Sequence, residues 1–166
     1  MEKHRIQYQT VHFNLNGKDV EKTVDVRASL TDMLRNDYHT LSVKKGCEVG
    51  ECGACNVLID GETFNSCLYL AAWADGKEIR TLEGLLGPGG ALSDIQQAFI
   101  DEAAIQCGFC TPGFIMTAVE ILESGREYTD SELRKLLSGH LCRCTGYENI
   151  LRAVKKTMLQ RLGKET

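Results

Sequence analysis

Four cysteines in the first half of the chain have the spacing of iron–sulfur ligands. Cys47 is followed after four residues by Cys52, after two more by Cys55, and after eleven more by Cys67. This is the plant-type spacing for a [2Fe–2S] cluster, in which four thiolates hold two irons. The loop also contains Gly46, Gly50 and Gly53. Because glycine allows tight turns and lets backbone N–H groups approach sulfur, the pattern predicts a one-electron redox centre.

A structural zinc site and disulfide bonds are the alternatives for these four cysteines. Zinc usually takes its ligands as paired hooks, about two to four residues apart within a pair, with a spacer between the pairs. Three cysteines within the loop 47–55 fit that arrangement less well. Disulfides need an oxidising compartment, and the start of the sequence has no apolar stretch that could serve as a secretory signal. Iron–sulfur is therefore the favoured interpretation.

The other four cysteines form a second group in the second half of the chain. Cys107 and Cys110 are separated by two residues, and Cys142 and Cys144, separated by one, follow after 31 more. This spacing alone is ambiguous between zinc and iron–sulfur. Both pairs precede predicted helix starts, where the helix dipole favours bound negative charge. Because the first group already forms an electron-carrying pattern, we expect a second [2Fe–2S] cluster here.

The remaining residues give fewer indications of chemistry. His140 lies two residues before Cys142 and could ligate a metal, although a polar residue at a helix end is the commoner role for such a histidine. The sequence contains no Walker loop, no GxGxxG before a helix and no G-x-S-x-G. We therefore expect electron transfer without a substrate pocket of its own.

The elements around the first cysteine group predict a small α+β unit over residues 1–83. Asn16-Gly17 and Asp60-Gly61 are two-residue hairpin turns, and Lys77–Thr81 is predicted as a further short strand. Between the hairpins, Ser29 and Asp32 resemble a capping box that opens a helix. The residues that alternate around the first turn are Val11, Phe13, Leu15, Val20, Val24 and Val26.

The Gly/Pro-rich segment 84–90 is predicted to be a linker, after which residues 91–166 are predicted to form a four-helix bundle. Ser93 and Gln96, and Thr129 and Glu132, are capping boxes, and Thr111 fits an N-cap before Pro112. The last helix carries Ile150, Leu151, Val154 and Met158. Each cysteine pair of this half is followed by a threonine and a helix start, which predicts an approximate twofold symmetry.

Composition and charge exclude several classes of protein. The 166 residues are 43% hydrophobic and 25% charged, which is typical of a globular protein and excludes wholesale disorder. Net charge is −4 and the basic residues are scattered, so no nucleic-acid partner is expected. The longest apolar stretch, 67–74, is far below the ~20 residues of a membrane span. We therefore expect a cytoplasmic protein without a membrane span.

Three motifs in order carry a family resemblance: GCEVGECGAC at 46–55, QCGFCTPG at 106–113 and LCRCTGY at 141–147. With them, the chain resembles the small iron–sulfur subunit of the molybdenum hydroxylases, the xanthine dehydrogenase and aldehyde oxidoreductase family. The stretch 66–84 looks most like the bacterial xanthine dehydrogenase branch. The resemblance implies a plant-ferredoxin-like β-grasp domain followed by a four-helix domain, each with one [2Fe–2S] cluster.

The resemblance also implies cofactors and partners outside this chain. They are a large subunit that binds molybdopterin, in the cytosine dinucleotide form, and a medium subunit that binds FAD, assembled as a heterotrimer or its dimer. By motif, Cys107, Cys110, Cys142 and Cys144 would hold the cluster nearer the pterin. Gln106 and Cys144 match positions that contact the pterin, and the first cysteine group would hold the cluster nearer the flavin. Many relatives carry asparagine where this chain has His140.

The function expected from the resemblance is a relay of single electrons. Electrons would pass from the molybdenum centre through the two clusters to FAD, and then to NAD, in the oxidation of xanthine or a related purine. The subunit would belong to an oxidoreductase without being catalytic alone. Alternatives are the same relay in a complex that oxidises an aldehyde, nicotinate or carbon monoxide, a free-standing ferredoxin, and a zinc-stabilised interaction module.

Overall fold

The first strand pair of the structure is built around a short turn. The structure is a computed structural model that describes residues 7–164, so the ends of the two predicted domains, 1–6 and 165–166, lie outside it. Strands β1 (Tyr8–Leu15) and β2 (Lys18–Asp25) pair in antiparallel fashion. Asn16 and Gly17 have φ values of 53° and 81°. Because the two-residue hairpin turn needs positive φ at both positions, the predicted turn is confirmed.

A short helix and a second hairpin follow. Helix α1 (Leu30–Asn36) begins after Ser29, whose hydroxyl accepts the Asp32 backbone N–H at 3.0 Å, so the predicted cap is confirmed. Strands β3 (Asn56–Ile59) and β4 (Glu62–Asn65) flank the Asp60-Gly61 turn. Strand β5 (Glu78–Arg80) lies inside the predicted segment Lys77–Thr81.

The five strands form one sheet in the order β2-β1-β5-β3-β4. Strand β5 runs parallel to β1 and antiparallel to β3, and it therefore joins the two hairpins. All four residues of β3 are buried, because this strand lies between β5 and β4 in the sheet and also packs against α3, a helix described below (Thr111–Glu123). The cysteine-bearing loop 47–55 leads directly into β3 and is thus anchored on the most buried strand.

Four helices follow the segment 84–90, which contains parts of two short 3₁₀ turns. They are α2 (Asp94–Asp101), α3 (Thr111–Glu123), α4 (Asp130–Leu136) and α5 (Glu148–Arg161). Helix α5 contacts each of the other three. The capping boxes at Ser93 and Thr129 are confirmed. Together with the sheet, these helices make the chain a mixed α+β protein.

The start of α3 differs from the prediction by one residue. The N-cap is Cys110 rather than Thr111, because the Cys110 carbonyl already accepts the Phe114 N–H at 3.2 Å. The Cys110 thiol does not cap the helix, since it is directed at another cysteine instead. The shift places this thiol at the helix start itself.

Two buried apolar clusters support the two halves. One is formed by residues of the sheet, including Val11 and Ile79, together with residues of α1 such as Leu34. The other is formed by the four helices and includes Leu58, which β3 contributes from the sheet. In the part of the chain that the structure describes, no helix is long and apolar enough to cross a membrane.

Candidate iron–sulfur centres

The first four cysteines lie together as two pairs of thiols. The Cys52 side chain is among the groups that lower the pKa of Cys47, and the Cys55 thiol is among those that raise the pKa of Cys67, so the members of each pair are neighbours. Cys55 is buried, and the other three are partly buried. Residues from the loop 47–55 and from the far side of the β3–β4 hairpin are thus brought to one place, as the spacing predicts.

Backbone N–H groups of the loop are aimed at sulfur. The amides of Val49 and Glu51 donate to Cys47 Sγ at 3.4 and 3.3 Å. These bonds, led by the one from Val49, lower the pKa of the Cys47 thiol to about 7. The loop can turn its amides inward because Glu48 and Gly50 have φ values of 58° and 80°. It is therefore shaped to stabilise negative charge on sulfur.

The second four cysteines form two pairs as well. Cys144 Sγ donates to Cys107 Sγ at 3.6 Å, and the Cys142 thiol is the neighbour of Cys110. Cys107 and Cys144 are exposed, whereas Cys110 is buried. Burial, with the neighbouring Cys142 sulfur as a second cause, raises the pKa of Cys110 to about 12. The pair of Cys110 and Cys142 is thus largely enclosed, whereas the pair of Cys107 and Cys144 is open to the surface.

Thr145 is a hydrogen-bond donor to the second set. Its backbone N–H lies 3.4 Å and its hydroxyl 3.1 Å from Cys142 Sγ. Burial alone would raise the pKa of Cys142, but these hydrogen bonds outweigh it and lower the pKa overall. The Tyr147 hydroxyl accepts the backbone N–H of Cys142 at 2.9 Å, which fixes the main chain at the same residue.

The paired arrangement suits a two-iron centre better than a single ion. A tetrahedral zinc site needs four ligands around one ion, whereas a [2Fe–2S] cluster takes two thiolates at each iron. All eight cysteines are free thiols. The donor set, its spacing in pairs and the N–H groups aimed at sulfur therefore fit [2Fe–2S] clusters.

The two cysteine sets are in direct contact through the backbone. The N–H of Leu141, the residue before Cys142, donates to the carbonyl of Cys52 at 3.1 Å. A Cβ added to Gly113 would lie 2.1 Å from the Gly53 carbonyl oxygen, so only glycine fits at this contact. Two cysteine-bearing segments, far apart in sequence, thus touch main chain to main chain.

Comparison with known proteins identifies the family. A model for a 2Fe-2S iron-sulfur cluster binding domain matches residues 13–83, and one for a [2Fe-2S] binding domain matches residues 81–155. The xanthine dehydrogenase iron-sulfur-binding subunit of Escherichia coli O157:H7 is 52% identical, over 87% of this chain and 91% of that protein. The chain belongs to the small iron–sulfur subunits of the molybdenum hydroxylases. It is therefore a [2Fe–2S] electron-transfer subunit of an oxidoreductase and not a catalyst alone.

Further relatives of this subunit carry different substrate names. The nicotine 6-hydroxylase small subunit of Paenarthrobacter nicotinovorans is 50% identical, over 87% of this chain and 86% of that protein. In the crystal structure of quinoline 2-oxidoreductase from Pseudomonas putida 86, one chain superposes with a TM-score of 0.89 at 40% identity. The alignment covers 95% of this subunit and 97% of that chain. The fold of the subunit is thus shared among enzymes named for different substrates.

Gln106 and its neighbours lie on the surface of the subunit. Gln106 is exposed next to the exposed Cys107. Two apolar side chains beside the second set are exposed as well, Phe109 at 47% and Leu141 at 61%. The structure therefore leaves this side of the second set accessible, while Cys110 is enclosed.

His140 is buried between the two halves and contacts polar groups of the chain. Its Nδ1 lies 3.3 Å from the Leu137 carbonyl, and its Nε2 lies 3.2 Å from Asn56 Nδ2 and 3.3 Å from Thr117 Oγ1. Burial lowers the pKa of the imidazole. The interpretation of His140 as a polar residue at a helix end is supported by its contact with the Leu137 carbonyl. Its contacts with Asn56 and Thr117 are not predicted by the sequence. The one signal in the sequence for these contacts is the amide residue Asn56 directly after Cys55.

Proposed function

We propose that this subunit relays single electrons from a molybdenum centre through two [2Fe–2S] clusters to FAD, and then to NAD, in an enzyme that oxidises xanthine or a related purine. The observation that carries the relay is the presence of two four-thiol sets, each arranged as two pairs, in contact through Leu141 and Cys52. The identity of 52% with a xanthine dehydrogenase subunit supports the substrate.

The proposed ligands follow the two sets of thiols. One cluster would be held by Cys47, Cys52, Cys55 and Cys67, and the other by Cys107, Cys110, Cys142 and Cys144. A [2Fe–2S] cluster accepts and releases one electron at a time. The chain contributes the thiolates, the amides of Val49 and Glu51 directed at Cys47, and the Thr145 hydroxyl directed at Cys142.

The direction of the relay is proposed from exposure around the second set. Cys144 and Gln106 are exposed, and in the proposed complex they contact the pterin of the molybdenum cofactor. The second set therefore receives electrons first. The first set, which the Leu141–Cys52 hydrogen bond joins to it, passes them on towards the flavin. The contact between Leu141 and Cys52 brings the two sets close together, which would give each electron a short path.

We further propose the domain layout that the family resemblance implies. Residues 1–83 would form a plant-ferredoxin-like β-grasp domain, and residues 91–166 a four-helix bundle with approximate twofold symmetry, joined by the linker 84–90. The two apolar clusters, one in the sheet half and one in the helical half, support this division. Leu58 is the exception, since it belongs to the helical cluster.

The partners we propose are a large subunit with molybdopterin, in its cytosine dinucleotide form, and a medium subunit with FAD. The complex would be a cytoplasmic heterotrimer or a dimer of heterotrimers. This proposal is supported by the relatives, which are themselves named as subunits. It is also supported by exposed apolar side chains around the second set, such as Leu141, which is 61% exposed. Such side chains are typical of the buried part of an interface.

Purification of the complex with its partners tests this proposal. We expect about four irons and four acid-labile sulfides per copy of this subunit, two distinct EPR signals after reduction, and FAD with a molybdenum cofactor in the extract. About two zincs and no sulfide would indicate the interaction module instead. A monomer that carries iron and reduces diverse acceptors without partners would indicate a free-standing ferredoxin.

The substrate is tested separately with the assembled complex. The same relay in an aldehyde-, nicotinate- or carbon-monoxide-oxidising complex is the alternative, because the relatives of this subunit are named for several substrates. Xanthine, hypoxanthine, an aromatic aldehyde, nicotinate and carbon monoxide are each added while cluster bleaching is followed. We expect the fastest bleaching with xanthine, and faster bleaching with another compound would reassign the enzyme.

A further inference from the structure

Three buried polar side chains link the two cysteine sets. Asn56 Nδ2 lies 3.3 Å from Thr117 Oγ1 and 3.2 Å from His140 Nε2, and Thr117 Oγ1 lies 3.3 Å from the same nitrogen of His140. Asn56, Thr117 and His140 are 8%, 7% and 3% exposed. We refer to Asn56, Thr117 and His140 as the polar bridge.

The hydrogen bonds of the polar bridge follow from the placement of the Asn56 amide. An amide nitrogen donates and does not accept, so Asn56 Nδ2 donates to His140 Nε2. The imidazole proton then lies on Nδ1 and is donated to the Leu137 carbonyl at 3.3 Å. The ring is also stacked on Phe114, with ring centroids 4.3 Å apart. The imidazole is therefore held in position from three sides.

Each member of the polar bridge is tied to a proposed ligand. Asn56 directly follows Cys55 of the first set, and His140 precedes Cys142 of the second set by two residues. Thr117 lies on helix α3, whose N-cap is the ligand Cys110. The bridge thus connects the first set to both cysteine-bearing segments of the second set. A displacement of His140 would move the chain at Leu141, whose N–H is bonded to Cys52.

We propose that Asn56, Thr117 and His140 are positioning residues that set the separation and orientation of the two clusters, and thereby the rate of electron transfer between them. This inference rests on the proposed function. Groups that orient ligands through hydrogen bonds matter for a metal centre nearly as much as the ligands, because they restrict where the ligands lie. The polar bridge does this for two centres at once.

The physical reason is that the polar bridge resists separation of the two halves. The glycine contact at Gly113 and Gly53 sets how closely the backbones can approach, but it does not oppose their moving apart. Buried donors and acceptors do oppose it, because separation would leave each without its partner in a site of low polarity. The glycine contact limits how closely the two halves approach, and the hydrogen bonds of the polar bridge limit how far they separate. Together they determine the spacing of the two cysteine sets.

The test compares variants in the assembled complex. His140→Leu removes all three polar contacts of the ring, whereas His140→Gln keeps an acceptor within reach of Asn56. Thr117→Val removes one hydroxyl of the bridge. Thr157→Val is the matched control, because Thr157 is also a buried helical threonine, whose hydroxyl bonds only the Ala153 carbonyl within α5. Three quantities are measured: iron per chain, the magnetic interaction between the two reduced clusters by EPR, and hydrogen exchange at the Leu141 amide.

For His140→Leu and Thr117→Val we expect unchanged iron, an altered magnetic interaction and electron transfer between the clusters slowed about tenfold, as for other groups that orient metal ligands. Exchange at the Leu141 amide should become about tenfold faster as its hydrogen bond loses support. His140→Gln should restore most of each effect, and Thr157→Val should change none. A general loss of stability would affect Thr157→Val as well and would not be reversed by glutamine.

Each outcome decides the inference. If His140→Leu and Thr117→Val match Thr157→Val in both the magnetic interaction and the Leu141 exchange, the polar bridge does not position the clusters. If a variant loses iron, exchange at Leu141 still decides, because that measurement needs no cluster. If the unmodified complex contains no iron, the proposed function fails, and this result is distinct from failure of the bridge.

Discussion

The backbone N–H of Leu141 donates to the carbonyl oxygen of Cys52 at 3.1 Å. Cys52 is a proposed ligand of one cluster, and Leu141 is bonded covalently to Cys142, a proposed ligand of the other. A single hydrogen bond therefore links the main chain of Cys52 to the residue directly before Cys142. Because both partners are backbone atoms, this link does not depend on the Leu141 side chain, which is 61% exposed.

The close approach of the two loops predicts a penalty for Gly113→Ala. Within a helix such as α3, alanine is ordinarily favoured over glycine by about 1 kcal/mol. Here the added Cβ would meet the Gly53 carbonyl oxygen at 2.1 Å, and this oxygen belongs to backbone that cannot rotate away. We expect the free energy of unfolding to fall by about 1–3 kcal/mol, the usual effect of overpacking, as measured by chemical denaturation.

Gly139→Ala is the control for this substitution. A Cβ on Gly139 would have no atom within 4 Å, and its φ is not in the left-handed region. We expect its free energy of unfolding to stay within about 0.5 kcal/mol of the unmodified protein. Equal stability of the two variants would contradict the direct contact between Gly113 and Gly53.

The hydroxyl of Thr145 predicts a shift in reduction potential. It donates to Cys142 Sγ at 3.1 Å, and a hydrogen bond to sulfur stabilises the reduced cluster more because that state carries one more negative charge. Thr145→Val should therefore lower the potential of the second cluster. A shift of up to about 60 mV is expected, which corresponds to a tenfold change in a one-electron equilibrium. Redox titration followed by EPR measures it.

Thr145→Ser provides the comparison for that measurement. Serine keeps the hydroxyl that donates to Cys142 and that accepts the Tyr147 N–H at 3.2 Å. Its potential should stay near that of the unmodified subunit, and the first cluster should be unaffected in both variants. A potential in Thr145→Val equal to that in Thr145→Ser would mean that the hydroxyl has no effect on the cluster.

The loss of one ligand should remove one cluster. In Cys52→Ser the backbone carbonyl that accepts from Leu141 remains, while the thiol next to Cys47 is replaced by a hydroxyl. We expect one of the two EPR signals to disappear and iron per chain to fall by about half, with the second signal intact. Cys144→Ser should give the reciprocal result. Loss of both signals in Cys52→Ser would contradict the proposed division into two domains that each hold one cluster.

Much of the local structure could be predicted from the sequence because its causes are local. Asn16-Gly17 forms a hairpin because the turn needs two positive φ values, and Ser29 caps α1 through its own hydroxyl. The division of the cysteines into two sets also follows from spacing. The N-cap of α3 was placed one residue too late because Thr111 has a capping hydroxyl, whereas the helix begins from the Cys110 carbonyl.

The contacts between the two halves could not be predicted in this way. Asn56 and His140 are 84 residues apart, and no periodicity of either segment indicates that they meet. The hydrogen bond from Leu141 to Cys52 joins backbone atoms, which every residue has. No residue type in the sequence therefore indicates it. Such features depend on how β3 packs against α3, which is decided by the fit of complete surfaces rather than by local preference.

Gln106 offers a test at the exposed side of the second set. It lies on the surface beside Cys107, at the position proposed to contact the pterin. In Gln106→Ala we expect normal iron content, since no proposed ligand changes, but electron arrival from the molybdenum side slowed by about tenfold, as for other groups next to a metal centre. Stopped-flow bleaching of the clusters after substrate addition measures this. Gln97→Ala is the control, because this amide bonds only Asp101 within the same helix. Equal bleaching rates in the two variants would refute the contact, since both remove an exposed glutamine amide and only one of them lies beside the cluster.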